Sequence, residues 1–249
     1  MGLINQDVFI CLDCETTGLD LEKDRIIEIA VVRFNFDQIL DSYETLIDPL
    51  MLIPEASIAI HHISDHMVKG KPKIQEIFSK IVELIGRSII VGHGITNDLA
   101  FLCAAAKQYN IPCRLASHPY LDTLRMARLY GESPINSLEK LRQHFNIAEE
   151  CAHRAMNDVI VNIEVFKYLA KRFKTTEQLV NRLKSPIQLR TMPLGKHKGR
   201  SFAEIPVEYL RWAVNQDFDQ DLLFSLKTEL KKRNKGANFG QAANPFANL

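Results

Sequence analysis

The stretch DVFICLDC, residues 7–14, constrains this chain more than any other, because it is continuously apolar apart from its acidic positions and leads directly into Glu15. An apolar run without a polar alternate face is what a strand covered on both sides requires. Side chains alternate faces along a strand, so Asp13 and Glu15 project to one side at its C-terminal end. Two carboxylates held that close repel each other and are costly unless a cation neutralises them, and hard oxygen donors suit Mg²⁺ or Mn²⁺. Solvent-facing acids on an edge strand are the bland alternative, and the apolar residues Phe9 to Leu12 argue for a central strand instead.

Residues 26–34 (IIEIAVVRF) and 39–47 (ILDSYETLI) read as two further strands, joined by short polar connections that suit an antiparallel meander. The period then changes. Ile74, Ile77, Phe78, Ile81, Leu84 and Ile85 mark a helix, and SIIVGH (88–93) reads as a buried strand. Another helix starts near Asn97 and a short strand ends near Asp122; helices follow over about 123–130, 137–145 and 154–173. Three strands followed by alternating helices and strands predict the α/β class, a mixed sheet flanked by helices.

With 249 residues and 46% hydrophobic content, the chain can build one substantial core and a small second unit. Its net charge of +1 gives no global argument for a nucleic-acid partner, so any basic surface is local. That surface lies late in the chain: from Lys171 to Arg200, nine Lys or Arg stand against the single acid Glu177, a net +8. Residues 191–235 follow with a Gly-bracketed basic turn (194–200), Tyr209 and Trp212, and a final helix ending in Lys231-Lys232-Arg233. Tyr209 and Trp212 are expected to form a small core of their own there, although aromatic residues beside cations also suit stacking on bases. The uncharged stretch 236–249 reads as a flexible tail.

The five cysteines are an odd number in mostly apolar stretches, which predicts free thiols in a reducing compartment. Cys11 and Cys14 have CxxC spacing, but no second pair follows, so buried thiols are expected rather than zinc. No charged segment followed by an apolar run opens the chain, and no stretch approaches a membrane span; the expected location is cytoplasmic.

Three other places carry chemistry. Thr16-Thr17-Gly18 forms a turn where Gly can take φ > 0 and where hydroxyl and N–H groups are free to meet a phosphate or a terminal ribose. Asp98 falls in the first turn of a helix, where the macrodipole favours an ionised carboxylate; plain capping is its commoner use. His93, at the end of the preceding strand, is either a supporting residue or a satisfied core histidine. His153 and Asp158 are five apart, about 140° around a helix, so both cannot face one site from a regular helix. Asp158 therefore belongs inside the helix and His153 on the loop or first turn before it, where its ordinary pKa suits proton removal from a metal-bound water. Taken together, these carboxylates could hold two metals, one generating hydroxide and one stabilising the leaving oxygen.

These stretches closely resemble the three motifs of the DEDDh group of 3′→5′ exonucleases, the ribonuclease H-like family that includes the proofreading epsilon subunit of bacterial polymerase III. Motif one is Asp13-x-Glu15-Thr16-Thr17-Gly18, motif two contains Asp98, and motif three is His153-x4-Asp158. Between them, Ile53-Pro54-Glu55-Ala56, Ile60-His61-His62-Ile63-Ser64 and Leu121-Asp122-Thr123-Leu124 resemble further family segments, so the likeness covers residues 7–173. It implies that Asp13, Glu15, Asp98 and Asp158 ligate two Mg²⁺ or Mn²⁺ ions, that His153 is the general base, and that Thr16, Thr17 and Leu19 position the terminal nucleotide. His62 replaces the usual Gly, and motif two departs from the common HN-x-x-FD, with a GH-x-x-x-ND form similar to some RNA-directed members. The C-terminal turn and Tyr209-Leu210-Arg211-Trp212 resemble the corresponding region of exonuclease X.

The expected organisation is an exonuclease domain over 1–174, a basic linker over 175–190, a small module with a DNA-binding role over 191–235, and the tail. The expected activity is release of nucleoside 5′-monophosphates from DNA 3′ ends in repair or proofreading. The expected partners are single-stranded or frayed DNA and a polymerase III or clamp assembly, with no membrane. An RNA-directed exoribonuclease and an accessory polymerase-docking subunit are the alternatives.

Overall fold

The computed structural model describes residues 2–130, 135–148 and 154–242, with side chains up to Asn234; His153 and Cys151 lie outside the described residues. The chain divides into two compact units, Met1–Arg182 and Leu183–Leu249.

In the first unit, strands β1 (Phe9–Thr16), β2 (Ile26–Phe34), β3 (Ile39–Leu46), β4 (Ile89–Gly92) and β5 (Tyr120–Asp122) form one mixed sheet of order β3-β2-β1-β4-β5. β2 runs antiparallel to β1 and β3, whereas β4 is parallel to β1 and β5, so the meander and the later α/β crossovers share the apolar strand β1. β3 is the edge, and its LDSYET sequence is correspondingly polar and mostly exposed.

The alternation of β1 sends its side chains to two different layers. Ile10 and Leu12 join a core with Ile77, Phe78 and Ile81 of α3 (Ile74–Ile85) and Leu99 and Leu102 of α4 (Thr96–Gln108). Phe9 and Cys11 face α7 (Ala155–Ala170) on the other side: the Phe9 ring meets Phe166 edge-on with centroids 4.9 Å apart, and Asn162 Nδ2 donates to Cys11 Sγ at 3.4 Å. Asp13 and Glu15 continue that second row, so they emerge where α7 begins.

Two short helices, α1 (Glu55–His61) and α2 (Asp65–Val68), occupy a segment whose periodicity predicts no element, because seven and four residues are too few to show one. Ile53, Ile63 and Val68 nonetheless form a small core with Ile27 beneath them. Helices α5 (Thr123–Tyr130) and α6 (Leu138–His144) lie where the pattern predicts them, and α7 ends at Ala170, short of the expected Phe173.

Helix α8 (Thr176–Lys184) occupies the stretch read as a basic linker. Its Leu179 and Leu183, one turn apart, are both buried, and the Thr176 hydroxyl donates to Asp7 Oδ2 at 2.6 Å; the surrounding charges hide this short apolar stripe in the sequence.

The second unit closes its basic turn with backbone bonds from Met192 N to Arg200 O (2.9 Å) and from Gly199 N to Met192 O (2.8 Å). Its core is Met192, Phe202 and Ile205 with Leu210 and Ala213 of α9 (Val207–Ala213) and Leu222 and Leu226 of α10 (Gln220–Ala242). Tyr209 packs partly against this core. Trp212 corrects the expectation of a joint aromatic core, because it is 51% exposed: Leu210 and Ala213 share the inward face of α9, and Trp212 is turned away from it. α10 runs past residue 235 into the stretch read as a tail, and no proline stands between its first residue, Gln220, and Pro245. Among the described residues, no helix is long and apolar enough to cross a membrane.

Candidate active site

Asp158 is the link between α7 and the end of β1. It lies in the first turn of α7, with its N–H donating to Arg154 O at 3.1 Å, so its carboxylate leaves the helix close to the N-terminal dipole. One oxygen each from Asp13, Glu15 and Asp158 fall within 4.8 Å of one another. The expected same-side projection of Asp13 and Glu15 is thus met, and the residue placed inside a helix by its spacing from His153 completes the group.

Asp98 approaches from the other layer. In the first turn of α4, its Oδ1 accepts the backbone N–H of Cys14 at 3.0 Å, which ties it to the β1 residue between Asp13 and Glu15. It stands outside the group of three. The turn before α4 explains how it arrives there: Gly94 has φ 70° and donates its N–H to Asp122 Oδ1 at 2.9 Å, and the Leu124 N–H reaches the same oxygen at 2.9 Å. His93 is half-buried and partnered, with Nδ1 3.0 Å from the Thr123 hydroxyl, and desolvation pushes its pKa down to about 4.

Burial pushes the Asp13 carboxyl well above its usual range, with Asp98, Glu15 and Asp158 adding like-charge repulsion. Burial also lifts Glu15 to about 7, helped by Asp158 and Glu28 and opposed by Arg154. Asp98 rises to about 7, again mainly through burial, although the Cys14 N–H opposes the shift. Crowded, buried carboxylates that resist ionisation are the donor chemistry of a divalent-cation site, since a bound cation would restore the ionised forms.

The Thr16-Thr17-Gly18 turn differs from expectation in two respects. Its hydroxyls donate within the protein: Thr16 to Gly18 O at 2.6 Å and Thr17 to Asp24 Oδ1 at 2.9 Å. Gly18 does not take a positive φ; glycine is needed because a Cβ there would collide with the Asp24 carboxylate. Leu19, directly after the turn, is 89% exposed.

The residue that sequence reasoning missed is Glu28 on β2. It is fully buried and accepts from the Arg154 guanidinium and from the Ala155 N–H at 3.0 Å. Its only signal was one acid inside the otherwise apolar run IIEIAVV.

A family model described as an exonuclease matches residues 10–166. The polymerase III epsilon subunit of Aquifex aeolicus is 32% identical over 159 residues, covering 64% of this chain and 78% of that subunit. The epsilon subunit of Treponema pallidum is 35% identical over 185 residues, 72% of this chain and 84% of its own length. A PolC-type polymerase III of Clostridium perfringens is 32% identical over 169 residues, but the chain spans only 12% of its length. Exonuclease X, solved with 5′-overhanging duplex DNA, superposes with a TM-score of 0.58 at 21% identity over 71% of this chain and 99% of its own, a likeness of fold. Residues 181–231 match a second model, whose description is that of a quorum-sensing-regulated virulence factor. The chain therefore belongs to the DEDDh family of 3′→5′ exonucleases, hydrolases of nucleic-acid phosphodiester bonds.

Proposed function

We propose that the protein is a metal-dependent 3′→5′ exodeoxyribonuclease that releases nucleoside 5′-monophosphates from single-stranded or frayed DNA ends, in repair or proofreading. The observation that carries this reading is the convergence of Asp13, Glu15 and Asp158 oxygens within 4.8 Å, with Asp98 fastened to the intervening backbone. These four side chains would hold two Mg²⁺ or Mn²⁺ ions. Bound there, the ions supply an activated water and neutralise charge on the departing 3′ oxygen.

The chain's own residues do the rest. Asp98 steadies the strand end through Cys14, and α7 fixes the direction of Asp158. His153 takes the proton of the attacking water on a ring nitrogen, the general-base role an imidazole side chain can fill. Thr16, Thr17 and exposed Leu19 form the proposed seat of the terminal nucleotide: buried Thr17, whose N–H donates to Arg25 O and whose carbonyl takes the Ser57 hydroxyl, shapes the turn, and the Leu19 side chain makes the contact. DNA is favoured over RNA because the relatives are named as DNA polymerase III subunits and the structural neighbour holds DNA. A polymerase III assembly is the protein partner this kinship suggests. In the second unit, exposed Lys196, Lys198 and Arg200, with Lys196 over the Tyr209 ring and Tyr209 against half-exposed Trp212, form the proposed strand-binding surface.

The test is incubation of the full chain with Mg²⁺ and 5′-labelled single-stranded DNA or matched RNA, beside Asp13→Ala and His153→Ala. Stepwise 3′ shortening of DNA is expected, abolished in Asp13→Ala and slowed roughly 10²- to 10⁴-fold in His153→Ala. Shortening that persists in Asp13→Ala would overturn the site, and faster loss of RNA would overturn the substrate.

A further inference from the structure

Among the described residues of α7, Asn162 is the one buried polar side chain. It lies four residues after Asp158, one turn along the same face of the helix. Across from it stands Cys11, two residues before Asp13 on the same side of β1. The two side chains are joined: Asn162 Nδ2 donates to Cys11 Sγ at 3.4 Å, and the thiol turns to Val159 O, 3.7 Å away. The other end of the amide is used as well, its Oδ1 taking the Thr123 hydroxyl at 2.6 Å. Thr123 directly follows Asp122, whose carboxylate holds the Gly94 turn in front of the helix that carries Asp98.

Burying an amide costs free energy unless both its ends are bonded, and here both are. A leucine at 162 would nonetheless strand neither partner, because the Thr123 hydroxyl also has Gly92 O at 3.2 Å and the Cys11 thiol keeps Val159 O. An apolar side chain of similar volume also suits a buried helix face, so the amide adds little net stability. What it adds is direction. Apolar burial is non-directional, whereas hydrogen bonds hold α7 at one height and rotation over β1. Asp158 lies about 6 Å from Asn162 along the helix, and Asp13 about 6.6 Å from Cys11 along the strand. A slip at the amide–thiol contact therefore reaches the two carboxylates undiminished.

We infer that Asn162 is a positioning residue for the cation site: by bonding Cys11 on one side and Thr123 on the other, it sets the register of α7 on β1, and so the spacing between the Asp158 and Asp13 carboxylates. This inference rests on the reading of these carboxylates as cation ligands. Asp122 and Thr123, neighbours at the end of β5, then refer both sides of the site to one point: the first steadies the turn before Asp98, and the second holds the helix of Asp158 through Asn162.

The test uses the full chain and three measurements on each variant: Mn²⁺ affinity by calorimetry, thermal unfolding in chelator, and the Mn²⁺ concentration that half-saturates turnover of single-stranded DNA. Asn162→Leu is expected to unfold within about 4 °C of the unaltered chain. It should bind Mn²⁺ about tenfold more weakly, the lower end of what loss of a ligand's support costs. Half-saturation should rise by a similar factor, with kcat at saturating Mn²⁺ within about twofold, because the bound ion draws the carboxylates back into place. Thr123→Val and Thr123→Ser form a second pair, which serves also where Asn162→Leu does not fold. Valine keeps the shape and removes the hydroxyl, serine keeps the hydroxyl, and only valine should weaken Mn²⁺ binding. Unchanged Mn²⁺ affinity in folded Asn162→Leu, or an equal loss in both Thr123 variants, would overturn the positioning role. Absence of Mn²⁺ binding by the unaltered chain would instead overturn the reading of the carboxylates as ligands.

Discussion

Glu15 and Asp98, whose ordinary carboxyl values are 4.5 and 3.8, are both lifted to about 7, which ties the stability of the metal-free protein to pH. An acid whose folded pKa is raised contributes stability fully present below its unfolded value, and that contribution is lost as pH rises through the folded value. The metal-free protein is therefore expected to lose stability between about pH 4 and pH 7, on the order of several kcal/mol for two carboxylates that titrate together. Thermal unfolding in chelator across that range, repeated with saturating Mn²⁺, measures it: the melting temperature should fall with pH in chelator and flatten with the ion. A flat chelator profile would mean that the carboxylates ionise freely without a cation. At this scale Asp13, Glu15 and Asp158 were legible in the sequence because spacing fixes direction on a strand and a helix. The Asp98 bond to Cys14 N–H and the Glu28 bond to Arg154 were not, since their partners lie 84 and 126 residues away and no periodicity encodes such pairs.

Among the elements, those with a long pattern could be read directly: β1 and β2 are apolar runs covered on both faces, α3 and α7 bury one face each, and their patterns predict them. The short pieces around the site could not, because α1 and α2 are held by what they touch rather than by their own period. α1 illustrates this: the Ser57 hydroxyl donates to Thr17 O at 2.7 Å, fastening the helix to the turn after β1. The same turn depends on Asp24, whose carboxylate takes the Thr17 hydroxyl at 2.9 Å and the Asp20 N–H at 2.8 Å and passes over Gly18. Gly18→Ala is accordingly expected to destabilise the protein by about 1–3 kcal/mol, the usual cost of forcing an added methyl into a closed space. Turnover should fall with it, because Leu19 would shift along with the displaced turn. Chemical denaturation beside a single-turnover assay checks this, and an unchanged midpoint would show that the Asp24 carboxylate moves aside freely.

The molecule as a whole is nearly neutral, with a net charge of +1, so an exonuclease of this composition must concentrate its cations to hold a nucleic-acid strand. The sequence showed where, in the +8 stretch from Lys171 to Arg200, but not what holds it: α8 takes up part of that stretch, and the closed turn of the second unit takes up another. In that turn Lys196, Lys198 and Arg200 are exposed, Lys196 Nζ sits 5.3 Å from the Tyr209 ring centre, and Tyr209 lies 5.1 Å from the half-exposed Trp212. Cations contact phosphates without reading sequence and aromatic faces stack on any base, so the two contributions are separable by salt. Lys196→Ala with Lys198→Ala should weaken binding of single-stranded DNA and flatten its dependence on log salt by about 0.7 per lost phosphate contact. Trp212→Ala should instead cost about 1–3 kcal/mol with the slope preserved, because stacking releases no counterions. Fluorescence titration of a labelled oligonucleotide in chelator, at several salt concentrations, distinguishes them without cleavage. Equal affinity and equal slope in both variants would remove the strand-binding role and leave this face to a protein partner.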